Sequence, residues 1–296
     1  MNKTLRVLIL LSVIYSFSAA YTYSHPEGWP DLCKNGNRQS PIDFPSEKVY
    51  ITDYVTDSTI RVISSHYNIK SCPISEITYK NLNIDVSGVG FIMVEKDKMF
   101  YRYDAENLHF HFNSEHTISG VKADMEIHVV HVKNNDFLRH YGYTNDPDYL
   151  NKRMVIATTV NIGYQDNPNF DTLNLEKKGQ TTKDFDLSKF ILPLGEKDEP
   201  TFYHYLGSLT FPNPDCVEDI NWVVVEKPIY ISRRQYDLLT KWIISITEKP
   251  NSRAVQPRKS RKILKIKNKN GWVGHSNGSY LYLNFLFSLF LFFLII

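Results

Sequence analysis

The strongest constraint on the fold of this chain is an alternation. In Asn107-Leu-His-Phe-His-Phe-Asn-Ser-Glu-His-Thr117 apolar and polar residues trade places at every second position, and Met125-Glu-Ile-His-Val-Val-His131 repeats the pattern a little further on. A period of two marks a β-strand, because successive side chains leave opposite faces of a sheet. His109 and His111 therefore share one face, with Leu108, Phe110 and Phe112 on the other, and Glu126, His128 and Val130 share a face of the second run. If the two strands pair, three imidazoles converge on one point. Three neutral histidine nitrogens with a fourth position open form a catalytic zinc site, and strands hold ligands rigidly enough for that task. A lone buried histidine is more often a hydrogen-bonded core residue. Two at i and i+2, a third on the neighbouring run and a carboxylate two residues before it favour a metal.

The flanks of the chain carry different signals. Lys3 and Arg6, the apolar run from Leu5 to Ile14 and the small residues Ser18-Ala19-Ala20 make residues 1–20 a secretory signal, with a mature chain beginning near Tyr21. The apolar run is shorter than the ~20 residues a membrane span needs. A secreted chain makes its three cysteines, Cys33, Cys72 and Cys216, readable as one disulfide and one leftover thiol, with the pairing left open by the spacing. Near the other end, Arg258, Lys259, Arg261, Lys262, Lys265, Lys267 and Lys269 form a basic run without an acid. Residues 21–257 then hold 25 basic residues against 32 acidic ones, a net of −7. Such a body is ill suited to nucleic acid, whose binding rests on neutralising phosphates, and no nucleic-acid partner is expected.

Between the flanks lies enough chain for one domain with a large core. Ser40-Pro-Ile-Asp43 reads as a turn into an extended segment. Ile60–Ile63, Ile77–Tyr79, Leu82–Val86 and Gly90–Val94 are short strand-like runs between polar or glycine breaks. Met154–Ile162 is a long β-branched run that suits a strand buried on both faces. Trp222–Ile231 is another, with Pro228 at a bulge or edge. Ser232 caps a helix over Arg233–Ile243, whose stripe is Tyr236, Leu239 and Ile243. Asp184–Phe190 reads as a short helical turn, and His140 as a loop residue. The fold class is α+β and mostly β: a large central mixed, mainly antiparallel twisted sheet with short peripheral helices.

These residues resemble the α-class carbonic anhydrases. His109-Phe-His111, Ser114-Glu-His-Thr117 and Glu126-Ile-His-Val-Val-His131 look like the family's zinc signature. Gly36-Asn-Arg-Gln-Ser-Pro-Ile-Asp43 resembles its N-terminal segment, Tyr205-Leu-Gly-Ser-Leu-Thr-Phe-Pro212 its second conserved loop, and Asn251-Ser-Arg-Ala-Val-Gln-Pro257 with Arg261 its closing segment. The resemblance implies a carbonic anhydrase domain over residues 21–262, with His109, His111 and His128 as Zn2+ ligands. Thr210 would hydrogen-bond the zinc-bound hydroxide, and Glu115 would accept the Thr210 proton. Val130, Val155, Leu209 and Trp222 would line a pocket for carbon dioxide, and Asn107 and Glu126 would orient ligating histidines. His116 and His131 match structural positions. The implied activity is reversible hydration of carbon dioxide to bicarbonate and a proton. The rival is a catalytically weak surface module of the same fold that binds a partner.

Two departures and two further expectations follow from that comparison. Phe211 stands after Thr210, where the family has Thr, Ser or His, and its ring would narrow the substrate pocket. Lys80 occupies the place of the proton-shuttle histidine; an exposed lysine titrates near 10.4 and keeps its proton at neutral pH, so slow proton transfer is expected unless His25 or buffer substitutes. The resemblance also implies a Cys33–Cys216 disulfide, with Cys72 free or used between chains. Finally, residues 263–279 read as a basic and polar stalk, and Tyr280–Ile296 as a hydrophobic tail. As a helix that tail would reach ~26 Å, and the small residues Ser276–Ser279 before it fit a GPI-attachment signal better than a retained span. The expected place is the extracellular face of the plasma membrane, with the tail as the membrane contact.

Overall fold

The structure is a computed structural model that describes residues 21–44, 50–51, 61–76, 82–96, 99–140, 152–174, 181–191, 201–212, 215–244 and 251–267. The signal at 1–20, Lys80, the run Ile77–Tyr79, the Ile243 side chain and the tail at 280–296 lie outside them.

Among the described residues fourteen strands occur in chain order: β1 (Asp43–Phe44), β2 (Tyr50–Ile51), β3 (Arg61–Tyr67), β4 (Ile74–Glu76), β5 (Leu82–Asp85), β6 (Gly90–Lys96) and β7 (Met99–Phe112) in the first half. They are followed by β8 (Thr117–Ile118), β9 (Val121–Lys122), β10 (Met125–Lys133), β11 (Arg153–Gly163), β12 (Thr201–Gly207), β13 (Ile220–Ser232) and β14 (Leu264–Lys267). Eleven of them form one sheet with a central order β2-β14-β12-β13-β11-β10-β7-β5-β4, and β6 also pairs with β7 and carries β3. β1, β8 and β9 make a small second sheet. Most pairings of the large sheet are antiparallel, but β11 lies parallel to β13 and β14 parallel to β2. The sheet is therefore mixed and mainly antiparallel, in keeping with the expected fold class.

The central strands are buried on both faces, and their alternation sorts side chains between two clusters. Ile127 and Val129 of β10, Met154 and Ile156 of β11, and Val223 and Val225 of β13 face a large core together with Leu108 and Phe110 of β7. Val130, Val155, Ala157, Trp222 and Val224 point the other way. Parallel strands buried on both sides need such near-continuous apolar runs. Pro228 sits at an irregularity: Thr158 pairs with Val225 and Val160 with Ile229, so three residues of β13 oppose one of β11. A proline cannot donate to a ladder, and a bulge removes the need.

Among the described residues five short α-helices decorate the sheet: α1 (Asp31–Asn35), α2 (Asn135–His140), α3 (Pro168–Asp171), α4 (Ser188–Ile191) and α5 (Arg233–Ile244). α5 begins on a reciprocal cap. Ser232 Oγ accepts from the Gln235 backbone N–H at 3.2 Å, and Gln235 Oε1 accepts from the Ser232 N–H at 3.3 Å. Two boundaries differ from expectation. His140 closes helix α2 rather than lying in a loop. The sheet also runs past Lys262: Leu264–Lys267, placed in the stalk by composition, pairs with Thr201–His204. Its basic residues alternate with Leu264 and Ile266, which are buried, so the charge run masked a strand.

Candidate active site and metal centre

β7 and β10 pair antiparallel with His109 opposite His128 and His111 opposite Glu126. That register brings the three rings together, with centroids 5.2 Å apart for His109–His111, 5.2 Å for His109–His128 and 4.4 Å for His111–His128. One ligand atom from each lies within 4.8 Å of the others. Each ring has its far nitrogen occupied by an acceptor. His109 Nδ1 donates to Asn107 Oδ1 at 2.8 Å, His111 Nδ1 to the Asn251 carbonyl at 2.6 Å, and His128 Nε2 to Glu126 Oε1 at 2.8 Å. An N–H fixed on one side leaves a lone pair on the other, so the remaining nitrogens are those fit to hold a metal. His111 Nε2 is buried with no hydrogen-bond partner, an arrangement that costs free energy unless something occupies it. Burial, reinforced by the neighbouring rings, pulls His109 well below the ordinary histidine range. Burial also pulls His111 down, against the opposing charge of Glu115. The donor set, neutral imidazoles with fixed tautomers, fits a zinc ion.

Asn107 and Glu126 are thus hydrogen-bonded to the His109 and His128 rings. Glu126 does more than orient one ligand. Its Oε2 accepts from the His116 backbone N–H at 2.8 Å, and Oε1 from His116 Nδ1 at 2.6 Å. Burial alone would raise this carboxyl, but the His116 charge and the bonds from His116 and His128 hold it well below the usual range. His116 Nε2 meets the Tyr205 hydroxyl at 2.6 Å, which lies 2.9 Å from Ser40 Oγ. A buried chain of polar groups therefore runs from the His128 ring to the segment before β1. His131 lies apart, with Nε2 2.7 Å from the Tyr67 hydroxyl.

Thr210 and Glu115 are both buried, and Glu115 Oε1 lies 3.5 Å from His111 Nδ1. Glu115 Oε1 accepts from the Arg253 backbone N–H at 2.8 Å, and Oε2 is buried without a partner. The Thr210 side chain instead hydrogen-bonds the Tyr23 hydroxyl, whose phenol is pushed well up by burial and by the Glu115 charge. The apolar residues divide. Val130, Val155 and Trp222 share one cluster, with Leu209 packed against it, and the Trp222 ring lies 4.8 Å from that of His128. Phe211 packs elsewhere, 4.8 Å from Tyr23 and 5.4 Å from Trp29, against the Cys33–Cys216 disulfide. The disulfide forms as the resemblance implies, and Cys72 is free and buried. His25 is exposed and 3.0 Å from Glu27.

Asn251, Arg253 and Tyr23 escaped the sequence reading as site residues. Asn251 also grips the backbone of β7, accepting from Phe112 N–H at 2.8 Å and donating to the Phe110 carbonyl at 2.9 Å. The Arg253 guanidinium binds the Gln39 side chain and the Ser40 and Cys33 carbonyls. Only the closing motif around Asn251 signalled these roles.

Fold and side chains together define the class: a mixed-sheet protein with a histidine triad, able to hold a metal, on two central strands. A family model described as eukaryotic-type carbonic anhydrase matches residues 24–267. Alpha carbonic anhydrase 7 of Arabidopsis thaliana is 29% identical over 253 residues, covering 80% of this chain and 79% of its own. Dioscorin DB3L of Dioscorea polystachya is 28% identical, covering 80% and 81%. Among solved structures, the α-carbonic anhydrase of Thermovibrio ammonificans in complex with the inhibitor sulfanilamide is 26% identical, with a TM-score of 0.59 over 79% of this chain and 89% of that one. The chain belongs to the eukaryotic-type carbonic anhydrase family and is an enzyme of the carbonic anhydrase type.

Proposed function

We propose that this chain hydrates carbon dioxide reversibly to bicarbonate and a proton at a zinc ion held by His109, His111 and His128. The observation that supports this most directly is the fixing of all three tautomers by Asn107, Asn251 and Glu126 around an unpartnered His111 Nε2. Zinc bound there would supply a Lewis acid that makes hydroxide available near neutral pH. The residues of the chain do the rest. Val130, Val155, Leu209 and Trp222 offer an apolar wall to an apolar substrate. Thr210 accepts a hydrogen bond from the reacting oxygen and aims its lone pair, provided its own proton goes to Glu115. The unpartnered, buried Glu115 Oε2 is available for that bond.

The test is stopped-flow hydration on the purified chain with zinc content measured on the same sample. One zinc per chain with sulfonamide-blocked turnover supports the proposal. One zinc without turnover favours the second reading, a weakly active surface module, for which the Thr210–Tyr23 contact speaks. We also place Lys80 at the proton-transfer position and expect Lys80→His to raise turnover at low buffer; no gain would remove Lys80 from that role.

For location, the disulfide fits an oxidising compartment. With the expected signal at 1–20 and tail at 280–296 it supports an enzyme at the extracellular face of the membrane, GPI-anchored through that tail. Among the described residues no helix is long and apolar enough to span a membrane.

A further inference from the structure

The basic run after residue 257 is not used by the reaction, and the structure joins part of it to a second basic segment. Arg258, Lys259 and Lys262 are exposed, as is Lys34 on α1, while Arg38 is half-exposed. Lys259 fastens the segments together: its Nζ donates to the Gly36 carbonyl at 2.8 Å, to Asn37 Oδ1 at 3.0 Å and to the Asn35 carbonyl at 3.3 Å. Arg261 is buried, its guanidinium bound to the Arg258, Pro257 and Leu206 carbonyls, within electrostatic reach of both Arg38 and Arg258. Glu218 lies among these cations: it accepts from the Arg38 backbone N–H and the Gln39 side chain and stands 3.8 Å from the Arg38 guanidinium, so that Arg38 is paired within the fold. The Arg258 guanidinium and the Lys262 ammonium make no hydrogen bond or ion pair among the described residues. A cationic arc thus stands on a body whose net charge is −7.

We propose that this arc is a docking surface for a sulfated polysaccharide chain. Cations spread over two segments on an exposed surface suit a linear polymer with repeated anions better than one small anion. Two cations without an internal partner need no ion pair broken to engage it. The acidic body opposes a long, stiff polyanion lying across the molecule, which disfavours duplex nucleic acid. The choice of a glycan rests on the extracellular reading above, because that is where sulfated chains are met.

The experiment measures binding of the full chain to a size-defined heparin oligosaccharide by fluorescence anisotropy at two salt concentrations. Charge-matched double-stranded DNA and anionic phospholipid vesicles are run beside it. We expect salt-sensitive heparin binding that falls at least about tenfold in Arg258→Glu/Lys262→Glu. Hydration activity should be unchanged, and the control Lys189→Glu, on α4, should bind normally. The proposal is overturned by absence of heparin binding at physiological salt, by an equal loss in the control, by DNA binding of equal strength, or by vesicle binding alone. Localisation is tested separately, by N-terminal sequencing of the mature chain, so a cytosolic enzyme that binds heparin and a secreted one that does not are distinguishable results.

Discussion

Glu126 shows how much one buried carboxylate decides. Three donors converge on its two oxygens: the His116 backbone N–H, His116 Nδ1 and His128 Nε2. A glutamine there presents one oxygen and one NH2, so at least one donor would face another donor. We expect Glu126→Gln to weaken zinc binding about 10–100-fold, measured by competition with a chromophoric chelator; unchanged affinity would show that the carboxylate does not orient His128. The triad histidines were legible because i, i+2 spacing on a strand fixes their shared face. Asn251 was not, since its carbonyl reaches His111 across 140 positions of sequence.

Among elements, α5 is the clearest success of local reading. Its cap, Ser232, was legible, and the structure adds the return bond from Gln235, whose Oε1 also accepts from Asn167 N–H at 2.8 Å. Ser232→Ala should therefore cost about 1–2 kcal/mol, seen as a lower midpoint in urea with an unchanged slope; no shift would mean that packing, not the cap, sets the start of this helix. The long strands β11 and β13 were equally clear from β-branched runs. β14 was missed because a run dominated by Lys and Arg is read as solvated, although every second residue points into the core.

At the scale of the whole molecule, two features predict how stability responds to conditions. Burial pushes His131 and His204 down to about 4, against ~6.5 in an unfolded chain. Between those values the unfolded chain takes up protons that the folded one refuses. Stability should thus be full above pH 6.5 and decline as the pH falls towards 4, by about 3 kcal/mol for each histidine. Urea unfolding across this range would test it, and a flat profile would refute it. The Cys33–Cys216 bridge closes a loop of 183 residues. Its loss in Cys33→Ser/Cys216→Ser should cost about 2–5 kcal/mol, read from unfolding midpoints. A much smaller cost would mean that Arg253, which binds the Cys33 carbonyl, holds that segment by itself.

What the sequence determined by itself is whatever depends on short-range periodicity: strand faces, the shared side of His109 and His111, the cap of α5, and a body more acidic than its ends. The tertiary structure decided what depends on distant segments meeting. It set the register that puts His128 opposite His109, the choice of Asn251 to fix the His111 tautomer, the turning of Phe211 toward Tyr23 and Trp29, and the joining of residues 34–38 to 258–262. Periodicity is written along the chain because each side chain's direction follows from its own backbone. Partnership across the sheet is not, because it is fixed only when the whole core packs.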